Sequence, residues 1–226
     1  VAVGEKAKVY KMSGSEVSVS FDLYGGALGW YRTLIDDRQY WTLEDNAIAF
    51  RNKAYSSRAT NFYALIEAVT GKDISWQAVT PASVATSNEN YNAIRDVNTI
   101  NAACLAILTA LKDSGMGVNA NSQFVILAPI ALKSRLERAS RMIQQPVVGS
   151  GSYLSFNIRI IYTLMLSSNS YYYVILPKGK MKGGYRMDLT IYDQFDILAY
   201  ADTMAGWMRY GGAIGDTDQI RKCATA

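Results

Sequence analysis

One long helix in the first third of the chain constrains the fold more than any other feature of this sequence. Thr42 and Asp45 have the spacing of a capping box, and Gly71 is a typical residue just beyond a helix end. The pattern predicts a single helix over residues 42–70, about 40 Å long at 1.5 Å per residue. Apolar residues repeat along one side of it, at Ile48, Tyr55, Phe62, Ile66 and Val69. A helix of this length must extend across the whole of a protein of 226 residues.

The absence of histidine narrows the possible functions. Without it, Ser–His triads, Cys–His dyads and imidazole metal sites are all excluded. Chemistry based on carboxylates or lysine remains open, but the overall expectation is a protein that is not an enzyme and uses no metal or cofactor. The two cysteines, Cys104 and Cys223, are too few for a disulfide framework.

The remaining composition is that of a globular protein with large contact surfaces. Half of the residues are hydrophobic and 19% are charged, and no apolar run approaches the ~20 residues of a membrane helix, so no membrane contact is expected. Sixteen tyrosines and four tryptophans favour extensive contacts between subunits. The net charge of +4 permits contact with nucleic acid but does not require it.

Residues 1–35 are predicted to form an extended β-hairpin. Its strands would be Lys8–Met12 and Val17–Leu23, on either side of the turn-rich residues 13–16. The glycines of Tyr24-Gly25-Gly26 then suggest a flexible exit from the hairpin. Because an isolated two-stranded hairpin is marginal in water, we expect this one to rest on a neighbouring subunit.

The rest of the chain alternates between helices and strands, which makes the fold class α+β. The pattern predicts, in order, a helix over 88–114, a strand at 124–128, a helix from Pro129 to Ile143, strands at 154–166 and 171–176, a basic loop at 178–184, a strand at 186–191, further strand to Ile214, and an exposed tail.

This order of elements resembles the major capsid protein of tailed bacteriophages, with its Hong Kong 97-type fold that encapsulin compartments share. Local phrases such as Asp22-Leu23-Tyr24-Gly25-Gly26 and Ile35-Asp36-Asp37-Arg38 also look like phage capsid sequence. The resemblance implies an N-terminal extended loop at 1–35 and a peripheral domain at 36–87 and 184–226. Its spine helix would be 42–70, and residues 88–183 would form the axial domain.

The same resemblance implies a function. The chain would self-assemble into pentamers and hexamers of an icosahedral shell that encloses double-stranded DNA, which it would contact nonspecifically. A portal protein, and scaffolding or decoration proteins, would be further partners. The location would be the virion, with assembly in the host cytoplasm. Two alternatives stay open: the shell of an encapsulin-type compartment, and an α+β enzyme that uses carboxylates or lysine.

Two charged clusters are candidate sites. Asp36 and Asp37, beside Arg32 and Arg38, could be a metal-binding or acid–base pair, but a charge cluster between subunits is the simpler interpretation. The basic loop and Arg186 lack the spacing of a P-loop, which favours a contact loop near a symmetry axis or a DNA-facing patch. The candidate contacts between subunits are Tyr24, Trp30, Arg32, Asp36, Asp37, Arg38, Lys178, Lys180, Lys182 and Arg186.

A third cluster is given less weight. The arginines at 135, 138 and 141 repeat every three residues, which places them on the polar face of a helix. Aromatic residues that could stack on nucleic acid bases are not interleaved with them. We therefore expect a solvated helix face.

Overall fold

A computed structural model describes residues 17–79, 86, 91–114, 118–119, 121–141, 155–177 and 179–225. The helices are α1 (Thr33–Asp36), α2 (Tyr40–Glu67), α3 (Tyr91–Leu111) and α4 (Lys133–Arg141). The strands are β1 (Asp22–Tyr31), β2 (Asp73–Ile74), β3 (Gln123–Pro129), β4 (Asn157–Thr163), β5 (Tyr171–Ile175), β6 (Met181–Asp196), β7 (Ala201–Ile214) and β8 (Ile220–Ala224).

The strands form two sheets, which divide the described chain into two units. In the three-stranded unit, β1, β7 and β6 pair antiparallel in that order, and α2 lies on one face of the sheet. In the five-stranded unit, the strand order is β2-β8-β5-β3-β4, and α3 and α4 belong to the same core. The predicted α+β class is therefore confirmed.

The long helix is confirmed, although it begins earlier than predicted. α2 runs for 28 residues, about 42 Å at the usual rise. Its N-cap is Gln39, which makes no side-chain capping bond, so Thr42 lies inside the helix and the predicted capping box is wrong. All residues of α2 are described, and none of them is buried; Ile48 on the predicted apolar stripe is 51% exposed.

Close packing of α2 on the sheet depends on small residues in the strands. A Cβ atom added to Gly206 would lie 2.7 Å from the ring of Phe50, and one added to Gly183 would lie 2.9 Å from the ring of Phe62. The two phenylalanine rings therefore occupy space that any larger strand residue would fill. These two contacts, rather than a buried apolar stripe, position α2 on the sheet.

The predicted flexible exit at Tyr24-Gly25-Gly26 is wrong. These residues lie inside β1, which pairs residue by residue with β7 from Asp22↔Tyr210 to Tyr31↔Ala201. The segment at 17–21 is not a strand. The predicted partner strand, Lys8–Met12, lies outside the described residues. Within the described chain, the N-terminal region is thus part of the three-stranded sheet.

The core of the five-stranded unit surrounds α3. The predicted apolar face of this helix is buried, and Ile94, Val97 and Ile107 are fully shielded from solvent. The strand predicted at 124–128 is β3, in the middle of the sheet, parallel to β4 and antiparallel to β5. Pro129 ends this strand instead of beginning a helix; a short 3-10 turn, Ile130–Leu132, precedes α4.

The C-terminal part of the chain differs from the prediction in two ways. Residues 181–184 belong to β6, so they are strand and not a basic loop. The stretch after Gly215 is not an exposed tail: β8 pairs with β5 and β2, and Ile220 and Cys223 are fully buried. β2 and β8, which fall within the predicted peripheral domain at 36–87 and 184–226, lie in the five-stranded sheet; the domain boundaries stay a prediction.

The end of α2 joins the two units. Tyr63 and Ile66 pack against a second apolar cluster that contains Leu127 and Ile220 of the five-stranded sheet. Glu67 Oε1 accepts hydrogen bonds from the Ser167 backbone N–H, at 2.9 Å, and from its hydroxyl, at 2.8 Å. The helix therefore connects the two units through both apolar and polar contacts.

Among the described residues, α3 is the one helix with the length and apolar composition that crossing a membrane would require. Half of the qualifying stretch is buried inside the protein. The central helix of an ordinary apolar core has the same properties, and α3 occupies that position here.

Candidate assembly surfaces

Two of the predicted contact residues fasten the start of α1 to the turn between β6 and β7. The Arg32 backbone N–H donates to the Tyr200 carbonyl at 3.1 Å, and the Arg32 guanidinium lies 4.6 Å from the centre of the Phe195 ring. The Tyr200 hydroxyl donates to Asp36 Oδ2 at 2.9 Å, and this hydrogen bond raises the pKa of Tyr200. Arg32 and Asp36 thus position the hairpin turn within the same chain.

The neighbouring candidates are more open. Asp37 and Arg38 are exposed, and Arg38 has a φ of 59°, which forms the sharp turn before α2. Trp30 is half-buried, and its indole Nε1 is buried without a hydrogen-bond partner among the described residues. An unsatisfied buried donor costs free energy, so a partner outside this chain would relieve it.

Tyr24 lies in β1, an edge strand of the three-stranded sheet. Its ring stacks on that of Tyr210 with 4.2 Å between centroids, and the Tyr210 hydroxyl accepts a hydrogen bond from Asn61 of α2 at 2.7 Å. Tyr24 remains 39% exposed. One face of the Tyr24 ring therefore packs against Tyr210, and the rest of the side chain is exposed to solvent.

The basic candidates do not form one cluster. Lys180 lies 3.9 Å from Asp216, just before β6 begins. Lys182 and Arg186 are exposed residues of β6, and the Arg186 guanidinium lies 4.8 Å from the centre of the Phe21 ring. Lys178 lies outside the described residues. The structure thus gives these lysines and this arginine different surroundings.

Arg135 is not part of a solvated face, contrary to the prediction. Its guanidinium makes two hydrogen bonds to the fully buried Asp96, at 2.5 and 2.7 Å, and Asp96 also accepts from the Trp76 indole at 3.0 Å. Burial raises the pKa of Asp96, although Arg135 opposes the rise. The Trp76 ring lies between the guanidinium groups of Arg95, at 3.5 Å, and Arg135, at 4.8 Å. This cluster fixes the segment before α3 to α3 and α4.

Four strongly exposed apolar residues of the described chain were not among the predicted contact residues. Leu198 is 99% exposed and Ile197 is 79% exposed, both in the turn between β6 and β7. Trp41 and Tyr40, at the start of α2, are 68% and 57% exposed. A run of consecutive apolar residues in a turn, Ile197-Leu198-Ala199-Tyr200, was the available signal, because such runs are avoided on surfaces that stay in water.

The carboxylates of the described residues do not converge. No group of three or more acidic or cysteine residues in these ranges could hold a metal ion together. Asp36 is engaged by a tyrosine, and Asp96 by arginine and tryptophan. The predicted acid pair at Asp36 and Asp37 therefore gains no further ligand from the described chain.

The sequence has no matching protein-family model and no significant relative among curated proteins. Solved structures, in contrast, are similar over most of its length. The mature capsid of bacteriophage PhiM1 aligns with a TM-score of 0.53 at 12% identity, over 99% of this chain and 78% of that chain. The capsid of an empty GTA particle gives 0.56 at 14% identity, over 99% and 79%.

A third similar structure has a different source. A virus-like particle from Pyrococcus furiosus aligns with a TM-score of 0.54 at 12% identity, over 90% of this chain and 75% of that chain. Identities this low establish shared architecture and leave function to be argued separately. The chain therefore has the Hong Kong 97-type fold that phage major capsid proteins share.

Proposed function

We propose that this protein is the major capsid subunit of a tailed bacteriophage. It assembles into pentamers and hexamers of an icosahedral shell that encloses double-stranded DNA. The observation that carries the proposal is the alignment of nearly the whole chain with proteins whose solved structures are capsids. In this proposal the three-stranded unit acts as the peripheral domain and the five-stranded unit as the axial domain, with the shell located in the virion.

The exposed apolar residues support assembly. Monomeric soluble proteins rarely leave large apolar side chains clustered in water, whereas the hairpin turn presents Ile197 and Leu198 at the end of long strands. Contacts between different surfaces of identical chains close into rings when their rotation permits, which is how one chain can form both pentamers and hexamers. The ten predicted contact residues remain a proposal, and the turn residues extend it.

Electron microscopy of the purified protein, with size-exclusion chromatography, tests the proposal. We expect closed shells from the natural chain and failure to form them from the double variant Ile197→Ser, Leu198→Ser. Leu164→Ser is the matched control, because Leu164 is 74% exposed but lies outside the hairpin turn. A natural chain that stays monomeric under every condition, including in infected cells, would contradict the proposal.

A compartment of the encapsulin type is the second candidate, since the similarity to the virus-like particle from Pyrococcus furiosus is of the same quality. The contents of the isolated shells distinguish a phage capsid from an encapsulin-type compartment. Nuclease-protected DNA would support the phage capsid, and a folded cargo enzyme without DNA would support the compartment. Portal, terminase and protease genes beside the coding sequence would also favour the phage.

A further inference from the structure

One face of the three-stranded sheet is not covered by any described helix. On the opposite face, Phe50 and Phe62 of α2 approach Gly206 and Gly183. Side chains alternate between the two faces along each strand, and the pairing register extends the assignment across the sheet except between Tyr185 and Thr190, where the pairing of β6 with β7 is irregular. Residues 17–21 lie against part of the uncovered face, where a Cβ atom added to Gly211 would meet the Ser20 backbone. By this register the uncovered face, called here the open face, carries Leu23, Tyr31, Lys182, Tyr192, Gln194, Asp196, Trp207 and Arg209. Arg186 is assigned to the same face because its guanidinium and that of Arg209 both lie at Phe21.

The charge of the open face is almost entirely positive. Lys182, Arg186 and Arg209 are exposed, and none of the three forms an ion pair with a described residue. Asp196 is the one carboxylate that the register places on this face, at the far end of the sheet. It accepts hydrogen bonds there from the backbone N–H groups of the turn, the shorter one from Leu198 at 2.9 Å.

Two of the three cations are held in place by the segment before β1. The Arg186 guanidinium lies 4.8 Å from the centre of the Phe21 ring, and Arg209 Nε donates to the Phe21 carbonyl at 3.0 Å. Both guanidinium groups are thus positioned near one residue while they remain exposed. Positioned guanidinium groups lose less conformational freedom on binding an anion than free side chains do.

The helix-covered side of the unit differs in charge. Arg58 is paired there with Asp188 at 3.1 Å, and α2 carries Glu44 and Asp45 near its start. Arg51 and Lys53 are exposed on the same helix. Charges of both signs therefore alternate on this side, which leaves the open face as the more uniformly basic of the two.

We propose that the open face binds the phosphate backbone of double-stranded DNA and lines the inside of the shell. The inference rests on the proposed function and assigns the surface that meets the packaged DNA. Apart from residues 17–21, the described part of this face is sheet, so its contacts would be with phosphates, independent of sequence and strongly dependent on salt.

The test measures binding of random-sequence duplex DNA to the purified full-length chain over a range of salt concentrations. The double variant K182Q/R186Q should bind more weakly, and the slope of log affinity against log salt should become shallower by about two units, about one for each lost contact. The matched control R51Q/K53Q removes the same charge from α2 and should leave the slope unchanged. Arg209 is left intact because it also bonds to the chain.

A gain-of-charge variant avoids loss of packing. Gln194→Lys adds a cation to the open face at an exposed position, and we expect it to steepen the salt slope by about one unit. The proposal would be overturned if K182Q/R186Q and R51Q/K53Q lost equal DNA affinity, or if neither variant lost any. So would a K182Q/R186Q variant that binds DNA normally but forms no shells, because the face would then be a contact between copies. If the natural chain forms no shells at all, the proposed function fails instead.

Discussion

The two longest helices of this protein differ in how much of their surface their own chain covers. α3 buries ten of its 21 residues, whereas α2, with 28 residues, buries none. α3 lies at the centre of the five-stranded unit and has sheet and helix around it. α2 crosses the three-stranded sheet on one side and is open to solvent on the other. Among the described residues, the chain therefore completes the core of one unit and leaves much of the other exposed.

This contrast has a physical meaning. Apolar burial provides most of the stabilisation of a fold, so the five-stranded unit should account for most of the unfolding free energy of one chain. The three-stranded unit keeps large apolar side chains in water, and those can be buried only against another molecule. Three sets of variants, in order of decreasing expected effect, test whether stability is divided in this way.

Arg135→Ala should cause the largest loss, because it leaves the buried Asp96 without its charge partner. Removal of one member of a buried ion pair costs about 3–5 kcal/mol. Since burial already raises the pKa of Asp96, the loss should be greatest at neutral pH and shrink as the pH falls and the carboxyl takes up a proton. Denaturant unfolding at several pH values measures this. Arg141→Ala, at the exposed end of α4, is the control and should change stability little; an equal loss would contradict the expectation.

A matched isoleucine pair compares the two helices directly. Ile107→Ala in α3 should cost about 2–5 kcal/mol, because Ile107 is fully buried and its loss leaves a cavity. Ile48→Ala in α2 should change the unfolding free energy of the chain by no more than about 0.5 kcal/mol. Equilibrium unfolding of both variants under the same conditions gives the answer. Similar costs at the two positions would show that the contrast between the helices is wrong.

Two adjacent glycines test the shallow contact between α2 and its sheet. Gly183→Ala places a methyl group 2.9 Å from the Phe62 ring and should cost about 1–3 kcal/mol. Gly184→Ala meets no atom within 4 Å, so it should be neutral or slightly stabilising. Thermal unfolding of the two variants compares them. If Gly183→Ala is as mild as its neighbour, then the helix is free to shift on the sheet.

Sequence patterns predicted the elements whose signal is local. The apolar repeat of α3 gave both the helix and its buried face, because each residue needs only its own helical neighbours to be placed. The length of α2 followed in the same way. The buried ion pair was not predicted, because the spacing of Arg135 in the sequence places it on a polar helix face. Asp96, a charge within the apolar face of α3, was the sign that a partner was needed.

Features that depend on distant pairing could not be predicted. Gly25 and Gly26 suggested flexibility, but the Trp207 and Phe50 rings that pack near them are far away in sequence. The segment at 220–224 was predicted to be part of an exposed tail, and it carries the charged residues Arg221 and Lys222. The Arg221 guanidinium in fact bonds to backbone carbonyls, including that of Ala106 at 3.3 Å. Only the sheet itself supplies these partners.

The position of β8 has a consequence for the order in which the chain can fold during synthesis. β8 lies between β2 and β5, so the five-stranded sheet cannot close until residues 220–224 have left the ribosome. All of α2 and the β6–β7 hairpin, with its exposed Ile197 and Leu198, have been synthesised by then. A growing chain thus exposes this apolar turn before the core of the five-stranded unit is complete. The addition of β8 therefore sets the earliest point at which the core of the five-stranded unit can close.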